Sequence, residues 1–278
     1  MTLLSSDNYL DGMLVMARSL KQARAGYPLL VLTSPGLSDA TRHTLTAFGL
    51  ATRDLPGRFT LPEDIMDKID VPRWRGTFDK LEAFNLVDFE KVVFIDADMM
   101  ISRNIDHLFE REHMSCANYY GGVAPYDHFT FPNSGLLVIQ PEPGLADAIF
   151  SVWRKVAETT DSFSDQNLLH HYYGNMFRDR RGSWRLPVTY NCCSFLADRI
   201  ARKHGLNGHF MSPDNNTVAV MHFSSHNKPW EMTFLFRTYF LTRKLLARKW
   251  IEVRAYWRYW TLLGCIRKER SQLIDLVG

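Results

Sequence analysis

The chain has 278 residues, 46% of them apolar, enough to bury a full core as one large domain or as one domain with an appendage. Its net charge of +3 is uneven: residues 231–278 hold ten Lys/Arg against four Asp/Glu, a balance of +6, so the first 230 residues sum to −3 and the basic pI is no argument for a nucleic-acid-binding body. No apolar run reaches the roughly eighteen residues of a spanning helix, Asp7 and Asp11 interrupt the start where a signal peptide needs a basic end and an apolar stretch, and Cys116, Cys192, Cys193 and Cys265 show no paired spacing, so a cytoplasmic or cytosol-facing protein is expected.

Thr2-Leu3-Leu4 is a short apolar strand, followed by the polar turn Ser5-Ser6-Asp7 and a helical pattern through Tyr9, Met13, Met16, Ala17 and Leu20. Leu29 to Thr33 repeats the strand signal, Pro35-Gly36 turns the chain, and Ser38 is placed to cap a helix ending near Gly49. Leu55 to Trp74, with Pro56, Gly57, Pro62 and Pro72, reads as a long connection, and connections of that length in compact domains tend to be functional. A short helix over Thr77 to Asn85 leads into Val92-Val93-Phe94-Ile95, a β-branched and aromatic run expected to be buried on both faces, as in the middle of a parallel sheet. Asn104 to Phe109 follows as a short helix, Tyr119 to Val123 as a candidate strand and Leu136 to Ile139 as a clearer one. Helices are expected from Leu145 to Ala157 and from Asp165-Gln166 to Tyr172, and a last buried strand from Val218 to Phe223. Asn215-Asn216-Thr217 is a glycosylation sequon without a secretory context to use it.

Beyond Pro229 the texture changes to dense aromatic and basic residues. Tyr239, Leu246, Trp250, Val253, Trp257 and Trp260 recur at helical steps, so one face can be apolar. That face either packs on the body or lies on an anionic membrane, where basic residues and tryptophans are favoured. The expected organisation is therefore residues 1–230 as the catalytic domain and 231–278 as a basic, aromatic, helical extension.

The chemistry starts at Asp96-Ala97-Asp98, directly after the buried strand. A turn there lets both carboxylates converge on one hard cation, at the strand end where α/β sheets bind ligands. The plain alternative is that Asp98 caps a turn and Asp96 is solvated. Other polar clusters also sit where elements begin or end: Asn133-Ser134-Gly135, Asp165-Gln166, and His222 with Lys228-Pro229-Trp230 beyond it. Two carboxylates and an imidazole suit Mn²⁺, and a lysine beside them supplies a point charge for a phosphate.

These segments occur together in one order. Thr2-Leu3-Leu4-Ser5-Ser6-Asp7-Asn8-Tyr9, Phe78-Asp79-Lys80-Leu81, Phe94-Ile95-Asp96-Ala97-Asp98, Asn133-Ser134-Gly135, Asp165-Gln166, Leu186-Pro187-Val188-Thr189-Tyr190-Asn191 and His222-Phe223 to Lys228-Pro229-Trp230 resemble the motifs of glycosyltransferase family 8, the retaining enzymes that include glycogenin and galactinol synthase. The resemblance spans residues 2–230. It implies an α/β GT-A fold with a mostly parallel central sheet flanked by helices, and a Mn²⁺-dependent transfer of glucose or galactose from a UDP-sugar to a hydroxyl acceptor, which a polyol, a saccharide or a lipid-linked group would supply. By the same analogy Asp96, Asp98 and His222 hold the metal and Lys228 steadies the diphosphate. Leu3, Ser5, Ser6 and Tyr9 face the nucleoside, Ala97 with Asp98 the ribose edge, and Lys80, Asn133, Ser134, Asp165 and Gln166 the donor sugar, with Asp165, Gln166 and Lys80 nearest the chemistry.

Two departures stand out. The family's His-x-x-Gly-x-x-Lys-Pro-Trp carries Ser225 at the glycine position, where a hydroxyl contact or a shifted loop replaces close backbone approach. The position of glycogenin's self-glucosylated tyrosine, counted from Tyr190-Asn191, falls near Asp198, so priming by that route is not expected. The alternative reading is a non-catalytic UDP-sugar-binding or scaffold protein tethered by its basic tail. Donor identity, acceptor, oligomeric state and the choice between front-face and covalent retention stay open, with front-face favoured.

Overall fold

The computed structural model describes residues 1–69, 75–118, 120–128, 131–179, 182–207 and 217–275. Thr2–Leu4 (β1), Leu30–Thr33 (β2) and Ala51–Asp54 (β3) pair in parallel in the order β1-β2-β3, and the crossovers between them are the helices Leu10–Gln22 (α1) and Asp39–Ala47 (α2). Ser38 caps α2 as its sequence position predicts, its side chain accepting from Thr41 N. β3 carried no apolar signal in the sequence, because three of its four residues are exposed at the sheet edge.

A short helix, Glu63–Met66 (α3), interrupts the long connection, whose residues 70–74 lie outside the described ones. A 3₁₀ helix over Thr77–Phe84 then leads to Val92–Ile95 (β4), buried throughout. β4 pairs antiparallel with Leu136–Ile139 (β7), not in the middle of a parallel ladder as expected. A continuous apolar run reports burial on both faces and is silent about the direction of the neighbour. Ile95 N also donates to Met1 O at 2.9 Å, which ties β4 to the edge of the β1 sheet.

Between β4 and β7 lie Met99–Ile101 (β5) and Cys116–Ala117 (β6). The strand expected over Tyr119 to Val123 is absent: Tyr119 is outside the described residues, and Gly121 and Gly122 adopt left-handed φ of +59° and +64° that turn the chain. The helix expected from Leu145 to Ala157 is two, Leu145–Ser151 (α4) and Trp153–Thr159 (α5), broken where the Ser151 hydroxyl bonds back to Ala148 O. Asp165–Tyr172 (α6) and Gly174–Arg178 (α7) follow, then Arg185–Leu186 (β8), Cys192–Cys193 (β9) and Ala197–His204 (α8). Val220–His222 (β10) sits between β5, antiparallel, and β9, parallel. β6 and β8 pair in parallel.

The chain ends in Phe234–Leu246 (α9) and Trp250–Asp275 (α10). No helix among the described residues is long and apolar enough to cross a membrane. α10 docks on the body: Ile251, Ala255, Tyr256, Tyr259, Leu262, Leu263 and Ile266 share one buried cluster with Met13, Leu14, Phe223 and Trp230. This is not the stripe expected from the sequence, since Tyr239, Leu246, Trp250 and Trp257 face outward. The chain breaks between the two helices at Arg248, with φ of +56°, and a periodicity counted through the break loses its phase.

Asp198 caps α10 from a distance: its two carboxylate oxygens accept from Ile251 N and Glu252 N, each at 3.0 Å. Asp198→Ala should cost about 1 kcal/mol, a fall in melting temperature of about 2 °C by circular dichroism. An unchanged melting temperature would mean that water replaces the carboxylate at no cost.

Candidate active site

The carboxyl ends of β4 and β10 and the amino ends of β7 and β9 bring the polar segments together. Asp96 N donates to Gly135 O at 2.8 Å and Phe223 N to Asp98 O at 2.9 Å, so the acidic turn is hung between the Asn133-Ser134-Gly135 segment and the end of β10. Gly135 cannot carry a side chain: a Cβ there would lie 2.5 Å from Met99 Cε and 2.8 Å from both Asn133 Oδ1 and His222 Cε1.

Two charged clusters form on this frame. In the first, Lys80 Nζ lies 2.9 Å from Asp96 Oδ1 and 2.9 Å from Asp165 Oδ2, and Ser134 Oγ donates to the same Asp165 oxygen at 2.9 Å. In the second, Lys228 Nζ lies 2.6 Å from Asp98 Oδ2 and donates to Phe223 O at 2.9 Å, while His222 Nε2 is 3.2 Å from Asp98 Oδ1. Neutral amides join them. Gln166 Oε1 accepts from Asn133 Nδ2 at 2.8 Å and from Ser134 N at 3.2 Å, Asn133 Oδ1 accepts from Asn191 Nδ2 at 2.9 Å, and Asn191 Oδ1 faces His222 Nδ1 at 2.9 Å. Every member is buried or half-buried.

The electrostatics follow from burial and pairing. Burial opposes the charge of Asp98, but Lys228 and then His222 outweigh it and hold the carboxyl well below the usual range. Asp165 is likewise held below that range, against burial, by Lys80 and its hydrogen bonds. Burial pushes Asp96 up, Lys80 pulls the other way, and the nearby Asp98 adds to the rise. Lys80 is raised despite its burial, by Asp165 and then Asp96. Two lysines are thus set among three carboxylates, Lys80 between Asp96 and Asp165 and Lys228 on Asp98.

The donor set fits a divalent cation. Asp96, Asp98 and His222 each offer one ligand atom, all within 4.8 Å of one another. Asn191 Oδ1 lies 2.9 Å from His222 Nδ1, and the other ring nitrogen, Nε2, is turned to Asp98 Oδ1 at 3.2 Å. A histidine oriented through its second nitrogen is the usual form of a metal ligand.

Of the remaining sequence-predicted residues, Tyr9 reaches the lysine of this network. Tyr9 meets Trp230 edge-on at 5.3 Å and lies under Lys228 Nζ, 5.7 Å from the ring centroid. Ser6 caps the first turn by accepting from Asn8 N, and Ser5 lies against Gly76. Leu3 and Ala97 are buried in the core. Ser225 directs its hydroxyl to Asn227 O at 3.0 Å, within its own loop and beside the Tyr256 hydroxyl of α10. Asn191 had been quoted only as part of a motif, and its link between Asn133 and His222 is a role that sequence reading missed. A buried asparagine just before a strand was the available signal.

The C-terminal helix fixes the lysine loop. Trp230 Nε1 donates to Asn8 O at 2.7 Å, Trp260 Nε1 donates to Pro229 O at 2.9 Å, and Arg267 bonds Trp230 O at 2.9 Å while pairing with Asp11. Phe223 packs edge-on to both Tyr256 and Tyr259.

No protein-family model matches the chain. It is 32% identical over 246 residues to glycogenin-1 of Oryctolagus cuniculus, covering 84% of this chain and 65% of that protein, just under two thirds of its length. It is 25% identical over 271 residues to galactinol synthase 1 of Solanum lycopersicum, covering 90% and 79%. In three dimensions it is similar to the crystal structure of the galactosyltransferase LgtC in complex with donor and acceptor sugar analogs, with a TM-score of 0.62, 17% identity and coverage of 95% of this chain and 96% of that one. The chain is thus similar to members of glycosyltransferase family 8 over most of its length, and it has the GT-A fold.

Proposed function

We propose that the protein is a retaining, Mn²⁺-dependent glycosyltransferase that moves glucose or galactose from a UDP-sugar to a hydroxyl acceptor. One observation carries the reading: Asp96, Asp98 and His222 converge with their ligand atoms within 4.8 Å, with Lys228 on the same carboxylate. Asp96, Asp98 and His222 would hold the metal. When bound, Mn²⁺ supplies a Lewis acid for the charge that grows on the leaving diphosphate.

The residues divide the work accordingly. Lys228, held by Asp98 and Phe223 O, would steady the diphosphate. Asp165, kept ionised by Lys80, offers negative charge to a sugar that becomes oxocarbenium-like as its bond to the β-phosphate oxygen breaks. Asn133, Ser134 and Gln166 present amide and hydroxyl groups for the sugar's own hydroxyls. In the front-face route the acceptor oxygen bonds to the anomeric carbon on the side the diphosphate leaves, and the departing phosphate oxygen takes the acceptor's proton. The names of the relatives support the class: glycogenin and galactinol synthase by sequence, a galactosyltransferase by fold. The body formed by residues 1–230 is proposed as the catalytic unit. A cytoplasmic setting belongs to the same proposal, supported by Cys116, Cys192 and Cys193, which are buried free thiols.

Three substitutions test it. Asp98→Ala should abolish UDP release from UDP-glucose and UDP-galactose at saturating Mn²⁺. Near-normal turnover would reject the metal assignment, and donor binding without turnover in the parent protein would favour the scaffold reading. Asn191→Ala should raise the Mn²⁺ concentration for half-maximal UDP release by about 10- to 100-fold while sparing most of the rate at saturation. An unmoved half-saturation point would remove Asn191 from the histidine's support. Lys80→Met leaves Asp96 and Asp165 buried without their cation and should lower stability by about 3 kcal/mol or more in urea unfolding, an effect a surface pair would not produce.

A further inference from the structure

α9 is arranged against the usual rule that a surface helix buries its apolar stripe and shows its polar one. None of its residues is buried, and Phe234 and Leu235 are each 80% exposed and Leu246 81%. Tyr239 and Leu245 are exposed as well. The side that meets α10 is largely basic: Arg237 lies over the Trp260 ring at 5.2 Å and Lys244 pairs with Glu252, with Phe240 packed 4.4 Å from Tyr256 between them. The helix is nevertheless well defined, since Thr233 caps it by accepting from Phe236 N and Arg237 Nε anchors it to Met232 O at 3.0 Å. Exposed aromatic residues follow on α10, where Trp250, just after Arg248 and Lys249, and Trp257, two helical turns further, share one outward stripe.

An apolar face of this extent on a folded chain marks an interaction surface, and its charge identifies the partner. Residues 233–260 contain seven Lys/Arg and a single acidic side chain, Glu252, which is buried and paired with Lys244. Two copies meeting face to face would oppose their cationic rims, whereas lipid phosphates complement them. Tryptophan and tyrosine beside leucine and phenylalanine match the boundary between headgroups and acyl chains. We propose that α9, the turn after it and the Trp250–Trp257 stripe form an anchor that lies in the surface of an anionic bilayer. The anchor does not depend on the catalytic reading.

The test is co-sedimentation of the full-length protein with vesicles of phosphatidylcholine alone or mixed with phosphatidylglycerol. The protein should pellet with the anionic vesicles, release as salt is raised, and lose binding about tenfold or more in the Leu235→Glu, Leu246→Glu double variant, whose melting temperature should be unchanged. Failure to bind, equal binding to both compositions, or binding that survives the substitutions would overturn the proposal. Self-association in light scattering that the double variant abolishes, without vesicle binding, would assign the face to a second copy instead.

Discussion

A buried charge must be paired, and its partner must be hydrogen-bonded, or the fold loses several kcal/mol. Three carboxylates and two lysines meet at the strand ends of this protein under that rule, and much of the surrounding architecture serves it. Lys80 answers Asp96 and Asp165, and Lys228 answers Asp98. Asn133, Gln166 and Asn191 complete the bonding between them, and Gly135 leaves the space in which they meet. The surplus of carboxylates over lysines and the convergence of Asp96, Asp98 and His222 both point to a cation. The arrangement that makes the charges tolerable without ligand is also the one proposed to receive a metal diphosphate.

The same constraint explains the reach of the last fifty residues. Lys228 can meet Asp98 only if the loop after β10 is held down, and α10 does this through Trp260 on Pro229, Arg267 on Trp230 O and Asp11, and two tyrosines around Phe223. The helix is in turn started by Asp198 of α8. A segment whose sequence reads as an appendage is part of the wall behind the site. α9 stands apart from this work: its contacts with α10 use basic and aromatic residues, and its most apolar positions are left to solvent.

The sequence by itself determined the elements whose signal is local and the residues whose chemistry is unusual. The β1-α1-β2-α2 opening, the Ser38 cap, the buried run Val92–Ile95 and the polar clusters at element ends were legible, because side-chain period, capping and burial are written in neighbouring residues. The order of those clusters carried the family resemblance. Only the tertiary structure decided the partners. That β4 runs antiparallel to β7, that Asn191 orients His222, that Asp198 caps α10 and that the outward stripe of the C-terminal helices carries the tryptophans all depend on contacts between residues 31 to 54 positions apart or on the phase break at Arg248. Local periodicity says that a residue will be buried or bonded, and only packing says by what.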